Sequence, residues 1–294
     1  MPGTLHVSCA VEGRYLQHSA AMLHSVLSHA GDLDVHVHYL HGGGLPEGDA
    51  ARLAAMVHDA GGALDYLMVT PQRLEGLPVV DEFTAAMWHR IFLPELLPEV
   101  DRVLYVDVDT LAMDDLGPLW RTDLGESHLG AVTNVFQHNH VHRPAELGLR
   151  GPEVYFNSGV LLMDLDRWRR DDITGALREV ATKRGDTLAW PDQDALNLVL
   201  SGSRTALHPR WNTMNAVLGF ALAEEVFGAQ AVAEARARPG IRHFEGPGPN
   251  KPWHAACEQP GREAYLAHRR ATPWPDVELE GAPARSLRRR LLRR

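Results

Sequence analysis

The chain has 294 residues, enough for one large α/β domain with a full core. With 45% hydrophobic and 23% charged residues, its composition is that of an ordinary soluble globular protein. A net charge of −9 excludes a body built to neutralise nucleic-acid phosphates, and no apolar run approaches the length of a membrane span.

Residues 5–10 read as a first buried strand. Residues 15–30 follow as a helix, with Leu16, Leu23, Val26 and Leu27 on one stripe and Gly31 as the stop. Residues 35–40 alternate like a strand, ended by Gly42, Gly43 and Gly44. That glycine run has neither pattern of a phosphate-binding loop, so it reads as a plain connection. Residues 47–60 form a second helix closed by Gly61 and Gly62, and residues 64–69 a third strand. This β-α-β-α-β order implies a mostly parallel, doubly wound sheet with right-handed crossovers. Residues 81–98 read as a helical segment bounded by Pro94 and Pro98. Further strands are expected at 129–133 and 160–163, and helices at 171–184 and 194–200. From about Ala271, Pro, Gly and then Arg dominate. Residues 1–270 are therefore expected as one domain and 271–294 as a Pro/Arg-rich tail, with no internal repeat.

The most informative stretch is residues 102–110, RVLYVDVDT. Four apolar residues read as a buried strand and end in two carboxylates spaced i, i+2. On an extended strand Asp107 and Asp109 point the same way while Val108 points back. The acids would lie at the C-terminal edge of the sheet, where open α/β sheets bind ligands. Two like charges at that spacing repel unless a cation sits between them, and a divalent metal carrying a diphosphate meets that need.

Four separated blocks then fall into one pattern: residues 102–120, YFNSGVLLM at 155–163, PDQDALN at 191–197, and HFEG at 243–246 with Lys251, Pro252 and Trp253. In this order they resemble glycosyltransferase family 8, from about Leu5 to His254. The resemblance implies a GT-A fold, an α/β architecture with a Rossmann-like, mixed and mostly parallel sheet flanked by helices. It also implies a retaining transferase that takes a hexose from a nucleotide sugar, UDP-glucose or UDP-galactose being favoured. The implied cofactor is Mn²⁺, with Mg²⁺ as a substitute.

Carried over by resemblance, Asp107 and Asp109 are metal ligands and His243 completes the metal site from the far end of the chain. Carboxylate, imidazole and diphosphate oxygens suit Mn²⁺ better than an all-oxygen Ca²⁺ cage. Such a metal would neutralise the departing UDP. Gly246 and Lys251 match the loop over the diphosphate, at a slightly longer spacing than the family's usual one. Arg90 matches an arginine near the diphosphate and sugar. Ala10, Glu12 and Tyr15 match the uridine pocket, Tyr15 stacking on uracil and Glu12 standing where an aspartate is usual. Asp107 and Val108 border the donor as well, and Asn157, Ser158 and Asp192 line its sugar. The resemblance assigns catalysis to Gln193 and Asp192. Gln193 is placed under the anomeric carbon, where its amide oxygen would stabilise positive charge during front-face transfer. Whether Asp192 or Asp194 forms a covalent intermediate instead stays open. Asn134 stands where many relatives have an aspartate, so the donor sugar is not named.

A glycoside hydrolase needs carboxylates about 5–9.5 Å apart across its substrate, and an i, i+2 pair is too close. A nucleotidyltransferase would want a Gly-rich, basic triphosphate loop that is absent. The remaining alternative is a non-catalytic or differently specific nucleotide-sugar-binding protein using another donor. The acceptor is a glycan, a lipid-linked molecule or a small molecule, and no nucleic-acid partner is expected. His138, Asn139, His140 and His142 read as an acceptor-side loop. Cys9 and Cys257 form no disulfide framework, and the N-terminus has no evident signal peptide, so a cytoplasmic body is expected. Arg288, Arg289, Arg290, Arg293 and Arg294 are interleaved with leucines. They are either a solvated charge run or a peripheral contact with the anionic inner face of the membrane.

Overall fold

The computed structural model describes residues 3–80, 84–136, 138–151 and 154–282. Its strands are β1 (Thr4–Ala10), β2 (Asp34–His41), β3 (Ala63–Met68), β4 (Arg102–Val106), β5 (Thr110–Ala112), β6 (Leu129–Thr133), β7 (Phe156–Asp164), β8 (Arg204–Ala206) and β9 (Ile241–His243). Seven of them form one sheet in the order β3-β2-β1-β4-β7-β6-β8, and β5 pairs separately with β9. Within the large sheet β7 runs antiparallel to β4 and β6, while every other pairing is parallel. The sheet is mixed and mostly parallel, as expected.

Alternation along the central strands divides the apolar residues between two cores. Leu104, Val106, Val160 and Leu162 join Leu5, Val7, Val35 and Val37 on one side. Val103, Tyr105, Leu161 and Met163 join Trp88, Phe92 and Trp168 on the other. Because both faces are covered, β4 and β7 read as continuous apolar runs instead of alternating ones. Cys9 and Cys257 are both buried and unpaired. Among the described residues no helix is long and apolar enough to cross a membrane.

Several expected elements differ in form. The first helix starts as a 3₁₀ turn, Gly13–Tyr15, and becomes α-helical over Leu16–Ser28. The helix expected at 81–98 is a 3₁₀ run, Ala85–Phe92, followed by one α-turn, Leu93–Leu96; residues 81–83 lie outside the described residues. Pro94 is the cause of the break, since it has no N–H to continue a helix but suits a first turn. The strand expected at 160–163 extends back to Phe156, because buried hydrogen bonds rather than apolarity hold Asn157 and Ser158 there. The helix expected from Asp194 starts at Pro191, again with proline in its first turn. Asp192 is not its cap; the capping position belongs to Trp190.

Beyond Ala271, where the sequence predicts a tail, residues 272–280 lie on the body. Trp274 is 5% exposed and enters the first core, with the Arg52 guanidinium 4.7 Å over its ring. Glu280 exchanges backbone hydrogen bonds with Trp253 and Ala255. The apolar ring of Trp274 outweighs the turn-forming residues around it. The terminal arginines lie outside the described residues.

Candidate active site

The two acids do not continue a strand. β4 ends at Val106, and the chain turns tightly over Asp107, Val108 and Asp109. Thr110 closes the turn, donating from its N–H (3.1 Å) and its Oγ1 (2.7 Å) to the Asp107 carbonyl. Val108 packs between two apolar clusters and pins the turn. The expected alternation is thus replaced by a turn, yet the carboxylates still converge at the C-terminal end of β4.

β9 brings the third group. Its antiparallel pairing with β5 sets His243 opposite Thr110, and Phe244 N–H donates to the Asp109 carbonyl at 2.9 Å. One ligand atom from each of Asp107, Asp109 and His243 lies within 4.8 Å of the others. His243 Nδ1–H donates to Asn212 Oδ1 at 2.9 Å, which leaves Nε2 facing Asp109 Oδ1 at 3.3 Å. Asn212 in turn donates to Asn157 Oδ1 (2.8 Å), and Asn157 donates to Asn134 Oδ1 (3.3 Å). Gly159 is required beside them. A Cβ there would lie 2.3 Å from the His243 ring and 2.9 Å from Asp107 Oδ2.

The charges around Asp109 explain its ionisation. Burial would raise its carboxyl, but Lys251 and then His243 outweigh burial and hold it well below the ordinary carboxylate range. Burial would also lower His243, yet Asp109 prevails and raises it. Lys251 Nζ donates directly to Asp109 Oδ2. One buried carboxylate is therefore faced by the Lys251 ammonium and the His243 imidazole. Two carboxylates, one imidazole nitrogen held free by Asn212 and a cradle kept open by Gly159 fit a divalent cation with mixed oxygen and nitrogen ligands.

A second charged layer borders the first. The Arg90 side chain is 5% exposed, with Nη2 3.1 Å from Asp107 Oδ1 and 3.4 Å from Asp192 Oδ2. Tyr105 OH also donates to Asp107 Oδ1, at 3.0 Å. Burial pushes the Asp192 carboxyl up to about 6, opposed by Arg90 and assisted by Asp107. Gln193 is held at both ends of its amide: Oε1 accepts from Ser158 N–H (2.9 Å), and Nε2 donates to Tyr155 OH (3.2 Å). Asp194 is 0% exposed and accepts from Arg143, Tyr155 OH and Trp190 N–H. Its oxygens anchor the helix start and face away from any substrate role, so only Asp192 of the two acids remains beside the site.

The other expected residues take the following places. Ala10 ends β1, and Glu12 and Tyr15 flank the 3₁₀ turn that follows. The Tyr15 ring lies 5.9 Å from that of Trp253, just past Lys251. Gly246 adopts φ +93°, so it serves a turn that only glycine enters freely. A small cleft of about 100 Å³ opens at Asn134, lined also by Phe136, Val141, Pro144, Leu222 and Val226. A larger surface hollow of about 390 Å³ at Gln72, Arg73, Phe92, Glu95 and Arg178 contains none of these residues. Asn212, Gly159 and Tyr105 were missed from the sequence; Gly159 stood in a quoted block, but nothing in its neighbours showed that His243 would press on it.

The sequence model of glycosyl transferase family 8 matches residues 6–257. The chain is 29% identical to general stress protein A of Bacillus subtilis over 286 residues, 95% of this chain and 97% of that protein. It is 27% identical to lipopolysaccharide 1,2-glucosyltransferase of Escherichia coli over 213 residues, 71% of this chain and 61% of that enzyme. Among solved structures, the galactosyltransferase LgtC in complex with donor and acceptor sugar analogues superposes with a TM-score of 0.81 at 28% identity. That match covers 92% of this chain and 96% of LgtC.

Proposed function

Because the chain belongs to glycosyltransferase family 8 and shares its GT-A fold, we propose that it is a retaining hexosyltransferase using a UDP-sugar, with UDP-glucose or UDP-galactose favoured. The observation that carries this reading is the meeting of Asp107 and Asp109 with His243 and Lys251, residues far apart in sequence brought to one sheet edge. When bound at Asp107, Asp109 and His243, Mn²⁺ would supply Lewis-acid neutralisation of the leaving diphosphate.

The chain's own residues divide the remaining work. Lys251 turns from Asp109 to the diphosphate as a point charge. Tyr15 stacks on uracil, Glu12 accepts its N–H, and Ala10 and Val108 line the same pocket. Asn134, Asn157, Ser158 and Asp192 surround the sugar, with Arg90 orienting Asp107 and Asp192. The bond from the anomeric carbon to the UDP oxygen breaks with its electron pair leaving on UDP. The acceptor oxygen adds on the same face and passes its proton to the departing diphosphate oxygen. Gln193, already fixed by Ser158 and Tyr155, presents the second lone pair of its amide oxygen to the developing positive charge. Of Asp192 and Asp194, the structural contacts of Asp194 favour Asp192 for any covalent route. The cleft at Asn134 and Val141 is our candidate acceptor side, for a glycan or lipid-linked acceptor.

The test is UDP release from a panel of UDP-sugars, with Mn²⁺ and with EDTA, by wild type and Asp109→Asn. Turnover of one donor, dependent on Mn²⁺ and lost in the variant, is expected. Absence of both turnover and binding for every UDP-sugar would shift the reading to another nucleotide sugar, and binding without turnover to a non-catalytic sensor.

A further inference from the structure

A second cluster of metal-binding side chains lies away from the donor site. His6 on β1 and His36 on β2 are register partners, and His38 follows two residues on, so all three project from one face of the sheet. One ring nitrogen from each lies within 4.8 Å of the others. His6 Nδ1 and His38 Nε2 are 2.9 Å apart, and the His36 and His38 ring centres are 4.4 Å apart. The donor site occupies the C-terminal ends of these strands. His6 lies four residues back from Ala10, about 13 Å along the strand.

Packing does not account for this arrangement. A strand face buried for stability would carry Val, Ile or Leu, and three adjacent imidazoles repel one another whenever they protonate. His38 is 2% exposed, its Nδ1 has no hydrogen-bond partner, and its remaining nitrogen faces His6. Burial lowers the pKa of His6, assisted by His36. It lowers that of His38 to about 4, assisted by His36 and His6. Both rings are therefore neutral at pH 7, the state that binds metals without competition from protons. His36 Nε2 is 2.7 Å from Asp65 Oδ2, the carboxylate–histidine contact that fixes a ligating ring and raises its basicity.

We propose that His6, His36 and His38 form a second metal centre, which takes Zn²⁺ through three imidazoles and leaves a fourth position to water. An all-nitrogen ligand set suits zinc and its borderline neighbours, whereas carboxylate-rich Asp107, Asp109 and His243 suit Mn²⁺. The two sites would sort the metals by donor chemistry. Asp65 acts as a positioning residue through His36.

The test uses the full chain carrying Asp109→Asn, so that the donor site contributes little. Zinc bound after equilibrium dialysis is measured, and Co²⁺ is added separately to read the visible bands of a tetrahedral site. One tight zinc per chain is expected. His6→Asn and His36→Gln, both at half-exposed positions, should weaken binding by more than about 100-fold and abolish the bands, and Asp65→Asn should weaken it about 10–100-fold. Circular dichroism would confirm that each variant is folded, and Mn²⁺-dependent activity of His36→Gln in the otherwise wild-type chain should be unchanged. Equal zinc affinity in folded His6→Asn and His36→Gln variants, or no zinc in the parent, would overturn the proposal without touching the transferase reading.

Discussion

Asp192 is a buried carboxyl whose pKa is raised to about 6, and that shift has a sign. Its folded pKa exceeds its unfolded one, so its contribution to stability is fully present below about 4 and is lost as pH rises through about 6. For the metal-free protein, the stability of Asp192→Asn relative to wild type should therefore grow between pH 4 and pH 8, by up to about 3 kcal/mol. Denaturant unfolding at the two pH values measures it, and a flat difference would refute it. Gly159→Ala should reduce metal affinity and turnover at least tenfold while leaving far-UV dichroism intact, since a Cβ there meets His243 and Asp107. Asn212→Ala should cost 10–100-fold in Mn²⁺ affinity by freeing the His243 tautomer. The meeting of Asp107, Asp109 and His243 was legible because each sits in a block of the family resemblance. Asn212 was not, because a lone asparagine signals nothing until the fold sets it against His243.

At the scale of elements, the helix Pro191–Leu200 is held at its start by Asp194, which accepts from Trp190 N–H. Asp194→Asn should destabilise the protein by about 3 kcal/mol, because it removes the buried partner of Arg143 and leaves only the exposed Glu146. The fraction that folds should keep the wild-type kcat; a folded variant with no turnover would return Asp194 to the chemistry. The loop from Gly246 to Lys251 begins in a turn that favours glycine, and Lys251 pairs with the same carboxylate that a metal would need. Lys251→Met should then tighten Mn²⁺ binding measured alone and weaken UDP binding, as calorimetry on each ligand would report. The positions of β1 to β4, β6 and β7 were legible to within a few residues because apolar runs dominate them, whereas the three-residue strands β5, β8 and β9 were not. The 3₁₀ run Ala85–Phe92 was not, since its apolar spacing serves a helix of either pitch and tertiary packing of Trp88, Ile91 and Phe92 decides.

The whole molecule is one mixed sheet between two cores, and its C-terminal boundary depends on a single ring. A chain ending at Ala271 should be less stable than one ending at residue 282 by about 3–5 kcal/mol, because it lacks Trp274 in the core. Thermal unfolding of the two truncated chains measures the difference. The sheet class was legible from the order of elements, but the antiparallel direction of β7 was not. Direction is set by which edge the chain returns to, and no residue of β7 encodes that. The pairing of β5 with β9 has a consequence for the birth of the protein. Asp107 and Asp109 leave the ribosome long before His243 and Lys251, by roughly ten seconds at ordinary elongation rates. A nascent chain can thus complete β1 to β4 with Arg90 beside Asp107 while Asp109 still lacks Lys251 and His243. A fragment released before residues 243–251 are made therefore lacks two of the four groups that meet at the sheet edge.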